Sequence, residues 1–465
     1  MKSFIILFLS YVLFGNAQNN SKPNIVLLMA DDVSPHEFPS YGESNASTPT
    51  LNKFAKQGVQ FHTAWATPKC QPTRALLMTG KYAYQTEWYH SNMRPIKGAN
   101  NWALYDHELL SNITKNTGYS SVMIGKYQLN GNVTNHGFDE YFITGQSKGP
   151  DGYGKMIKGK KGKGKPSCYW NPYVATYTSK QQKAIWIQTS KDDYGPEMEL
   201  NYSLDFIDRN SKLKKPLFIY LPVHLGNKNS SQNFPAPPIY GKSGKRTGEL
   251  QPATMQSHVE YIDYMLTRIE HKFREINQLE NTIFIVTTDN GSAGFGKDDV
   301  REQKGSRVPL IVCGGNIKKR GITNELTDLS DIFPTIADIC DAQVSDVDGK
   351  SLWPFLTGKT DKHRDWIYSN LTIYHMARTK NLICDGEGVF WQVMNIGKGE
   401  TLKKLDIVPK TLLEDKEIIE SVLKKYPVPS ANDPMYVAYL NKKKGELTTE
   451  KKPKKVKDTK KSKNK

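Results

Sequence analysis

The hydrophobic residues of the chain fall into short apolar runs that alternate with helical patterns. The run at 24–30 is apolar throughout after its first residue, which is typical of a strand buried on both faces. Strands that alternate with helices predict a parallel sheet with crossover helices, an α/β arrangement. Similar apolar runs predict further strands at 119–124, 216–223, 282–288 and 309–313.

Helical patterns separate these strands. Residues 50–57 form a predicted helix that stops at Gly58, and residues 255–276 carry apolar side chains spaced by three and four, a stripe that faces a core. A further helix at 330–341 closes the large domain, and from about residue 365 the pattern shortens into strands. The predicted fold class is a large, mostly parallel sheet sandwiched by helices, with a smaller C-terminal α+β subdomain that contains an antiparallel sheet.

Residues 1–18 have the pattern of a secretory signal peptide. Lys2 precedes an eleven-residue apolar run, and Gly15 and Ala17 stand where small residues flank a cleavage site. The run is too short to span a membrane. We therefore expect a secreted or periplasmic protein without a transmembrane segment, in which residues 19–364 form the main domain and residues 365–440 the C-terminal subdomain.

The 465-residue chain carries a formal net charge of +17, which on its face suggests nucleic acid or another polyanion as a partner. Most of that charge is confined to two segments, since residues 442–465 carry a net +9 and residues 152–165 a net +6. The rest of the chain is close to neutral, which argues against a nucleic-acid-binding domain. Few apolar residues occur in 441–465, so we expect a disordered Lys-rich tail there.

The chain has an odd number of cysteines. Export would permit disulfides, but at least one thiol must remain unpaired. No Cys-x-x-Cys pair occurs, which excludes a zinc ribbon and a thioredoxin-type redox pair. The five residues are Cys70, Cys168, Cys313, Cys340 and Cys384.

Two oxygen-rich pairs directly follow predicted strands. They are Asp31-Asp32 and Asp289-Asn290. Ligands bind at the carboxyl ends of strands in open α/β sheets, and carboxylate and amide oxygens are the ligands of hard cations. Calcium accepts many such oxygens, whereas magnesium usually keeps several waters, so the pairs favour calcium and leave magnesium open. The alternative is that each Asp only caps a turn.

The segment from Cys70 to Gly80 carries the clearest reactive group. Cys70 falls at the predicted start of a helix that has Pro72 in its first turn and Gly80 at its end. A helix N-terminus favours anions, and Arg74, one turn further, can clamp a tetrahedral oxyanion. The pattern indicates a nucleophile beside an oxyanion site, with a buried structural cysteine as the alternative.

At these residues the chain resembles the type I sulfatases of the alkaline-phosphatase superfamily, and among them the microbial polysaccharide sulfatases. Their signature Cys-x-Pro-Ser-Arg stands here as Cys70-Gln-Pro-Thr-Arg74. The resemblance covers most of the mature chain, and its pieces are specific in their order and spacing. It includes residues 22–26, Asp31-Asp32, Gly125-Lys126, 288–291, 307–311, 331–335 and 348–352.

The resemblance implies that Cys70 is oxidised by a formylglycine-generating maturation enzyme to formylglycine (3-oxoalanine), whose hydrate attacks sulfur and releases an alcohol. It also implies one calcium ion. The ligands carried over by motif matching are Asp31, Asp32, Asp289, Asn290 and the modified Cys70.

The resemblance assigns the remaining catalytic roles as well. Arg74 and Lys126 would contact the sulfate group, and His224 would protonate the leaving oxygen, with a simple loop histidine as the alternative reading. A second sulfate-binding lysine is expected near Arg307-Val-Pro. Lys297 lies nearest the distance that the family pattern leads us to expect before Arg307, and Lys304 is the alternative because the intervening sequence departs from that pattern.

One departure from the family concerns the base for sulfate release. The usual Gly-Lys-Trp-His-Leu-Gly stands here as Gly125-Lys-Tyr-Gln128-Leu-Asn130. The side chain of Gln128 can hydrogen-bond the formylglycine hydrate but cannot accept its proton. A branch of the microbial polysaccharide sulfatases shares this Gln, so the change does not imply loss of activity.

Together these observations predict an exported, calcium-dependent sulfatase that acts on a sulfated carbohydrate. Residues 88–94, which follow the nucleophile helix, either line the sugar pocket or serve the core. One alternative is a phosphodiesterase or phosphonate monoester hydrolase of the same superfamily. The other is a catalytically silent glycan-binding homologue, which requires that Cys70 remain a thiol.

Overall fold

The structure is a computed structural model that describes residues 22–42, 44–93, 104–145, 168–228, 233–241, 243–397 and 399–450. The predicted signal peptide, the basic loop at 152–165 and the part of the tail beyond residue 450 lie outside these ranges. Within them, no helix is both long and apolar enough to cross a membrane.

The described strands form a ten-stranded sheet, a five-stranded sheet and a two-stranded ribbon. The ten-stranded sheet has the order β12-β2-β11-β10-β1-β7-β3-β4-β5-β6, the smaller sheet runs from β13 to β17, and β8 pairs with β9. The strands are β1 Asn24–Ala30, β2 Val59–Trp65, β3 Ser120–Gly125, β4 Glu140–Gly145, β5 Tyr173–Tyr177, β6 Ile185–Ile187, β7 Leu217–Pro222, β8 Pro238–Tyr240, β9 Arg246–Leu250, β10 Thr282–Thr288, β11 Arg307–Gly314, β12 Gly321–Asp328, β13 Ile367–Leu371, β14 Tyr374–Arg378, β15 Leu382–Cys384, β16 Phe390–Met394 and β17 Thr401–Leu405.

Helices cover both faces of the large sheet. Alternate side chains of β1 point into two separate cores, with Leu27 in one and Leu28 in the other. Residues of α2, α4 and α7 contribute to the first core, and residues of α1, α5 and α6 to the second. The helices are α1 Pro49–Gln57, α2 Cys70–Thr79, α3 Ala83–Thr86, α4 Leu110–Asn116, α5 Gly195–Ser211, α6 Met255–Glu275, α7 Ile332–Ile339, α8 Trp353–Leu356, α9 Leu413–Lys425 and α10 Pro434–Glu450.

The predicted fold class is confirmed, with the sheet more mixed than a purely parallel one. The centre of the sheet, β10-β1-β7-β3, is parallel throughout. β11 runs antiparallel to both β10 and β2, because the chain returns from β10 through a loop on the same edge instead of a crossover helix. The small sheet is antiparallel, and its first strand begins at Ile367.

The expectation of a disordered tail from residue 441 was wrong for its first ten residues. Helix α10 continues through Glu450. Its N-terminal half packs against a small apolar cluster that includes Tyr89 and Met93, and this contact supplies the burial that the Lys-rich composition alone lacks.

All five cysteines lie within the described residues, and all five are free and buried. Burial raises the pKa of the Cys340 thiol to about 11 and that of Cys384 to about 12, so both remain protonated at neutral pH.

Candidate active site

The carboxyl ends of four neighbouring strands, β10, β1, β7 and β3, meet at one edge of the large sheet. Because these strands are parallel, the residues that follow them lie side by side. β10 leads into Asp289 and Asn290, β1 into Asp31 and Asp32, β7 into His224 through one intervening residue, and β3 into Lys126. Residues that are up to 259 positions apart in the chain, Asp31 and Asn290, thus lie at one place.

Two glycines let these strand ends approach closely. Gly226 has φ of +102°, and a Cβ there would overlap the carbonyl oxygen of Asp31. Gly125 has φ of +112°, and a Cβ there would overlap the carbonyl oxygen of Pro222. Glycine tolerates the left-handed backbone and has no Cβ to overlap a neighbour. The loop after β7 can therefore lie against the end of β1, and the end of β3 can lie against the end of β7.

Cys70 is the first residue of α2 and is buried, with 4% exposure, as the sequence predicts for a group at a helix N-terminus. The hydroxyl oxygen of Thr73 lies 2.8 Å from that of Thr67 and accepts a hydrogen bond from the Thr67 backbone N–H at 3.1 Å. These contacts tie the preceding loop to the first helical turn. The hydroxyl of Thr73 therefore holds the loop that precedes α2 against the start of the helix. The helix ends at Gly80, which has φ of +67°.

Three buried carboxylates form a cluster at the strand ends. One oxygen from each of Asp31, Asp32 and Asp289 lies within 4.8 Å of the others. The backbone N–H of Asp32 donates to Asp289 Oδ1 at 3.0 Å, and Asn290 Nδ2 donates to Asp32 Oδ1 at 2.7 Å. Two buried oxygens beside these contacts, Asp31 Oδ1 and Asn290 Oδ1, have no hydrogen-bond partner. Buried, unpartnered oxygens of carboxylate and amide type are the donor set that a hard divalent cation takes.

Three cationic side chains surround the carboxylates. Arg74 Nη2 lies 2.7 Å from Asp289 Oδ2, Lys126 Nζ lies 2.5 Å from Asp31 Oδ2, and Lys297 Nζ lies 2.5 Å from Asp32 Oδ2. Arg74 Nη1 also donates to the Lys126 carbonyl oxygen at 2.5 Å. Arg74 is fully buried, and its Nε has no hydrogen-bond partner.

The electrostatics of this cluster keep its lysines charged. Burial disfavours the ammonium form, but the carboxylate of Asp31 and the nearby Cys70 raise the pKa of Lys126 above its ordinary value. Burial likewise opposes the charge of Lys297, and Asp32 together with Cys70 raises its pKa as well. Cys70 therefore contributes to the electrostatic environment of both lysines.

The structure places the two candidate lysines in different surroundings. Lys297 lies in the carboxylate cluster, whereas Lys304 Nζ pairs with Glu302 Oε1 at 2.9 Å outside it. Lys304 lines a different cavity, next to Arg307 and Trp391.

His224 is buried next to a carboxylate that sequence reasoning missed. His224 Nδ1 lies 3.3 Å from the Thr144 hydroxyl and 3.6 Å from Glu199 Oε1. Burial lowers the pKa of His224, and the contact with Glu199 acts in the opposite direction. Glu199 lies within α5 and follows no strand end, so no local signal in the sequence marks it.

Asn227 is a second missed residue. Its Nδ2 donates to Asp31 Oδ2 at 2.7 Å. This residue follows β7 at the same sheet edge, so the rule that selected Asp31 and Asp289 could have found it.

Gln128 lies at the edge of the same site. Its backbone is left-handed, with φ of +61°, and its side-chain Oε1 is buried without a hydrogen-bond partner. Asp32 has the same φ. Such conformations cost non-glycine residues roughly 1 kcal/mol or more and occur preferentially at functional sites. An unpartnered amide oxygen can accept a hydrogen bond from a bound hydroxyl.

The arrangement combines a buried cysteine at a helix N-terminus, three carboxylates fit for a cation, and three positive side chains. Such a site can bind a tetrahedral oxyanion and stabilise the charge that develops when it is attacked. The histidine beside Glu199 supplies a group for proton transfer.

Comparison with known proteins agrees with a site that binds and attacks a tetrahedral oxyanion. A family model described as Sulfatase matches residues 23–342. The N-acetylgalactosamine-6-sulfatase of Canis lupus familiaris is 26% identical over 400 residues, which are 76% of this chain and 70% of that protein. A sulfatase of Formosa agariphila is 26% identical over 403 residues, which cover 72% of each protein. A solved structure in complex with its substrate D-glucosamine-2-N,6-O-disulfate has a TM-score of 0.60 at 18% identity, covering 87% of this chain and 97% of that one, and so shares its fold.

Proposed function

Because the chain belongs to the sulfatase family and is a sulfuric ester hydrolase, we propose that it is an exported, calcium-dependent enzyme that removes sulfate from a carbohydrate. We propose further that its nucleophile is formylglycine made from Cys70 by a maturation enzyme. The single observation that carries this proposal is the position of Cys70, which begins the helix α2 whose Arg74 pairs with Asp289 in the carboxylate cluster.

Two similar proteins support a carbohydrate substrate. The canine relative is named for N-acetylgalactosamine-6-sulfate, and the solved structure holds a disulfated glucosamine as its substrate. The proposed substrate class is therefore a sulfated polysaccharide or its oligosaccharides. The pattern of residues 1–18 supports export, which would give such an enzyme access to polymers outside the cell.

The proposed cation is held by Asp31, Asp32, Asp289 and Asn290, together with the modified Cys70. When bound, calcium supplies positive charge that polarises a sulfate oxygen and the hydroxyl of the nucleophile. The unpartnered oxygens of Asp31 and Asn290 support this assignment, since burial without a partner is costly for a polar atom unless an ion or water satisfies it.

The chain's own residues orient the sulfate group and move its protons. Arg74, Lys126 and Lys297 bind sulfate oxygens and offset the charge that builds up on them. His224 gives a proton to the leaving oxygen, and Glu199 at its Nδ1 stabilises the protonated ring. Gln128 orients the nucleophile by accepting a hydrogen bond through Oε1.

The reaction class is tested by comparing a sulfate ester with a phosphate diester. We expect kcat/KM for 4-nitrophenyl sulfate to exceed that for bis(4-nitrophenyl) phosphate by at least about tenfold, because the leaving group is matched and the site would be selected for the sulfate monoester. A large preference for the phosphate would replace our proposal by a phosphodiesterase.

Calcium should stabilise the folded protein. After removal of metal with a chelator, calcium at about 100 times its Kd should raise Tm by on the order of 3 °C, since binding to the native state alone stabilises it by about 2.7 kcal/mol. Differential scanning fluorimetry measures the shift. The matched control is Asp32→Asn, which removes one charged ligand and should lose most of the shift. The absence of any shift in the unmodified protein would contradict the calcium site.

A further inference from the structure

A second cavity, of about 420 Å³, borders the site at the start of α2. Two of its lining residues are chain neighbours of catalytic candidates: Lys69 precedes Cys70, and Asp298 follows Lys297. Lys69 Nζ and Asp298 Oδ2 lie 2.6 Å apart. This ion pair therefore lies at the boundary between the cavity and the proposed sulfate site.

The opposite wall of the cavity is the C-terminal helix α10. It contributes the rings of Tyr436 and Tyr439, which are stacked with centroids 5.9 Å apart, and the charged residues Lys442 and Lys443. The ring of Tyr439 lies 4.9 Å from that of His90, and the helix is attached to the main domain by the apolar cluster around Tyr89.

The charges of the cavity have one dominant sign. Among the lining residues that the structure describes, Asp298 is the one that is acidic, and it is paired with Lys69. Lys442 and Lys443 are exposed, line the same cavity and add two positive charges to it. A cavity lined by both aromatic rings and positive charges fits a ligand that has both apolar ring faces and anionic groups.

We propose that this cavity binds an anionic sugar unit next to the one that loses its sulfate, with Tyr439 against the sugar ring and Lys442 and Lys443 against its charged group. The inference rests on the proposed carbohydrate substrate and adds that the enzyme acts on chains with at least two anionic units. An anionic sugar is favoured over an acidic peptide because the cavity presents adjacent aromatic faces.

The test is binding of polymers by the full-length protein, measured by biolayer interferometry at low salt. Dextran sulfate, carboxymethyl-dextran, neutral dextran and poly-glutamate serve as probes. We expect Lys442→Gln/Lys443→Gln to weaken dextran sulfate binding by about tenfold, as expected for the loss of two exposed ion pairs. Tyr439→Ala should also weaken binding, whereas Tyr439→Phe, which keeps the ring, should retain it. Equal losses with carboxymethyl-dextran would extend the site to sugar carboxylates, and losses with dextran sulfate alone would restrict it to sulfate.

A matched control removes the same charge elsewhere. The control variant is Lys212→Gln/Lys215→Gln. Both lysines lie before β7, at the end of the sheet opposite the site, and both are exposed. This variant should bind dextran sulfate as the unmodified protein does. Equal losses of dextran sulfate binding in the two double variants would overturn the inference. Unchanged binding by both Lys442→Gln/Lys443→Gln and Tyr439→Ala would also overturn it. So would binding of poly-glutamate that is as tight as binding of dextran sulfate. Turnover of 4-nitrophenyl sulfate by the unmodified protein reports on the proposed function separately, because the binding assay needs no turnover.

Discussion

Replacing Cys70 with alanine should reduce sulfate release from 4-nitrophenyl sulfate by at least about 1,000-fold, because it removes the proposed nucleophile. Cys70 is 4% exposed and begins α2, so the smaller side chain fits without overlap and the helix should form as before. The expected result is a folded protein with nearly unchanged Tm and with turnover close to background. Steady-state kinetics and thermal unfolding of the same preparation measure both.

The matched control is Cys384→Ala in the small sheet. Cys384 is also a buried, free cysteine, but it lies in β15, away from the strand ends that carry the site. Its replacement should leave kcat within about twofold, provided that the protein folds. Retention of turnover by Cys70→Ala would show that the reaction uses another nucleophile.

Lys126→Ala should lower kcat by about 100- to 1,000-fold, the loss typical of removing one group that stabilises an oxyanion. The effect should appear mainly in kcat, since the ammonium group acts most strongly on charge that develops during attack. Its pKa is raised by Asp31 and Cys70, so the side chain is protonated throughout the neutral range and no alternative protonation state rescues the loss.

Lys304→Ala is the control for this variant. Lys304 pairs with Glu302 outside the carboxylate cluster, and its removal should leave kcat nearly unchanged. Lys297→Ala should resemble Lys126→Ala, because Lys297 contacts Asp32 within the cluster. A larger loss for Lys304→Ala than for Lys297→Ala would reverse our assignment of the second sulfate-binding lysine.

Much of the fold follows from local pattern. The strand at 282–288 and the start of α2 at Cys70 are found where the sequence predicts them, because a buried apolar run and a Pro and Gly at the helix ends are strong local signals. The antiparallel direction of β11 could not be predicted from the sequence, since a strand that is buried on both faces has the same apolar pattern in parallel and antiparallel pairing. Helix α10 was missed because its stability comes from contacts with residues far along the chain.

The candidate site could likewise be predicted only in part from the sequence. Asp31, Asp289 and Lys126 follow β1, β10 and β3, which belong to the parallel group β10-β1-β7-β3, so the rule for strand ends brings them together. Glu199 reaches His224 from the middle of a helix, and only the packing of α5 against the sheet determines that contact. Lys297 and Lys304 are seven positions apart in one loop, and their separation into two environments depends on the path of that loop.

The most direct test of the account is mass spectrometry of the peptide that contains Cys70, taken from protein produced in a host with a formylglycine-generating enzyme. The account predicts that this peptide carries the aldehyde residue, which labels with a hydrazide probe, while Cys384 in the same digest remains a thiol. A native peptide that carries only unmodified cysteine at position 70, in protein that hydrolyses sulfate esters, would contradict the proposed nucleophile.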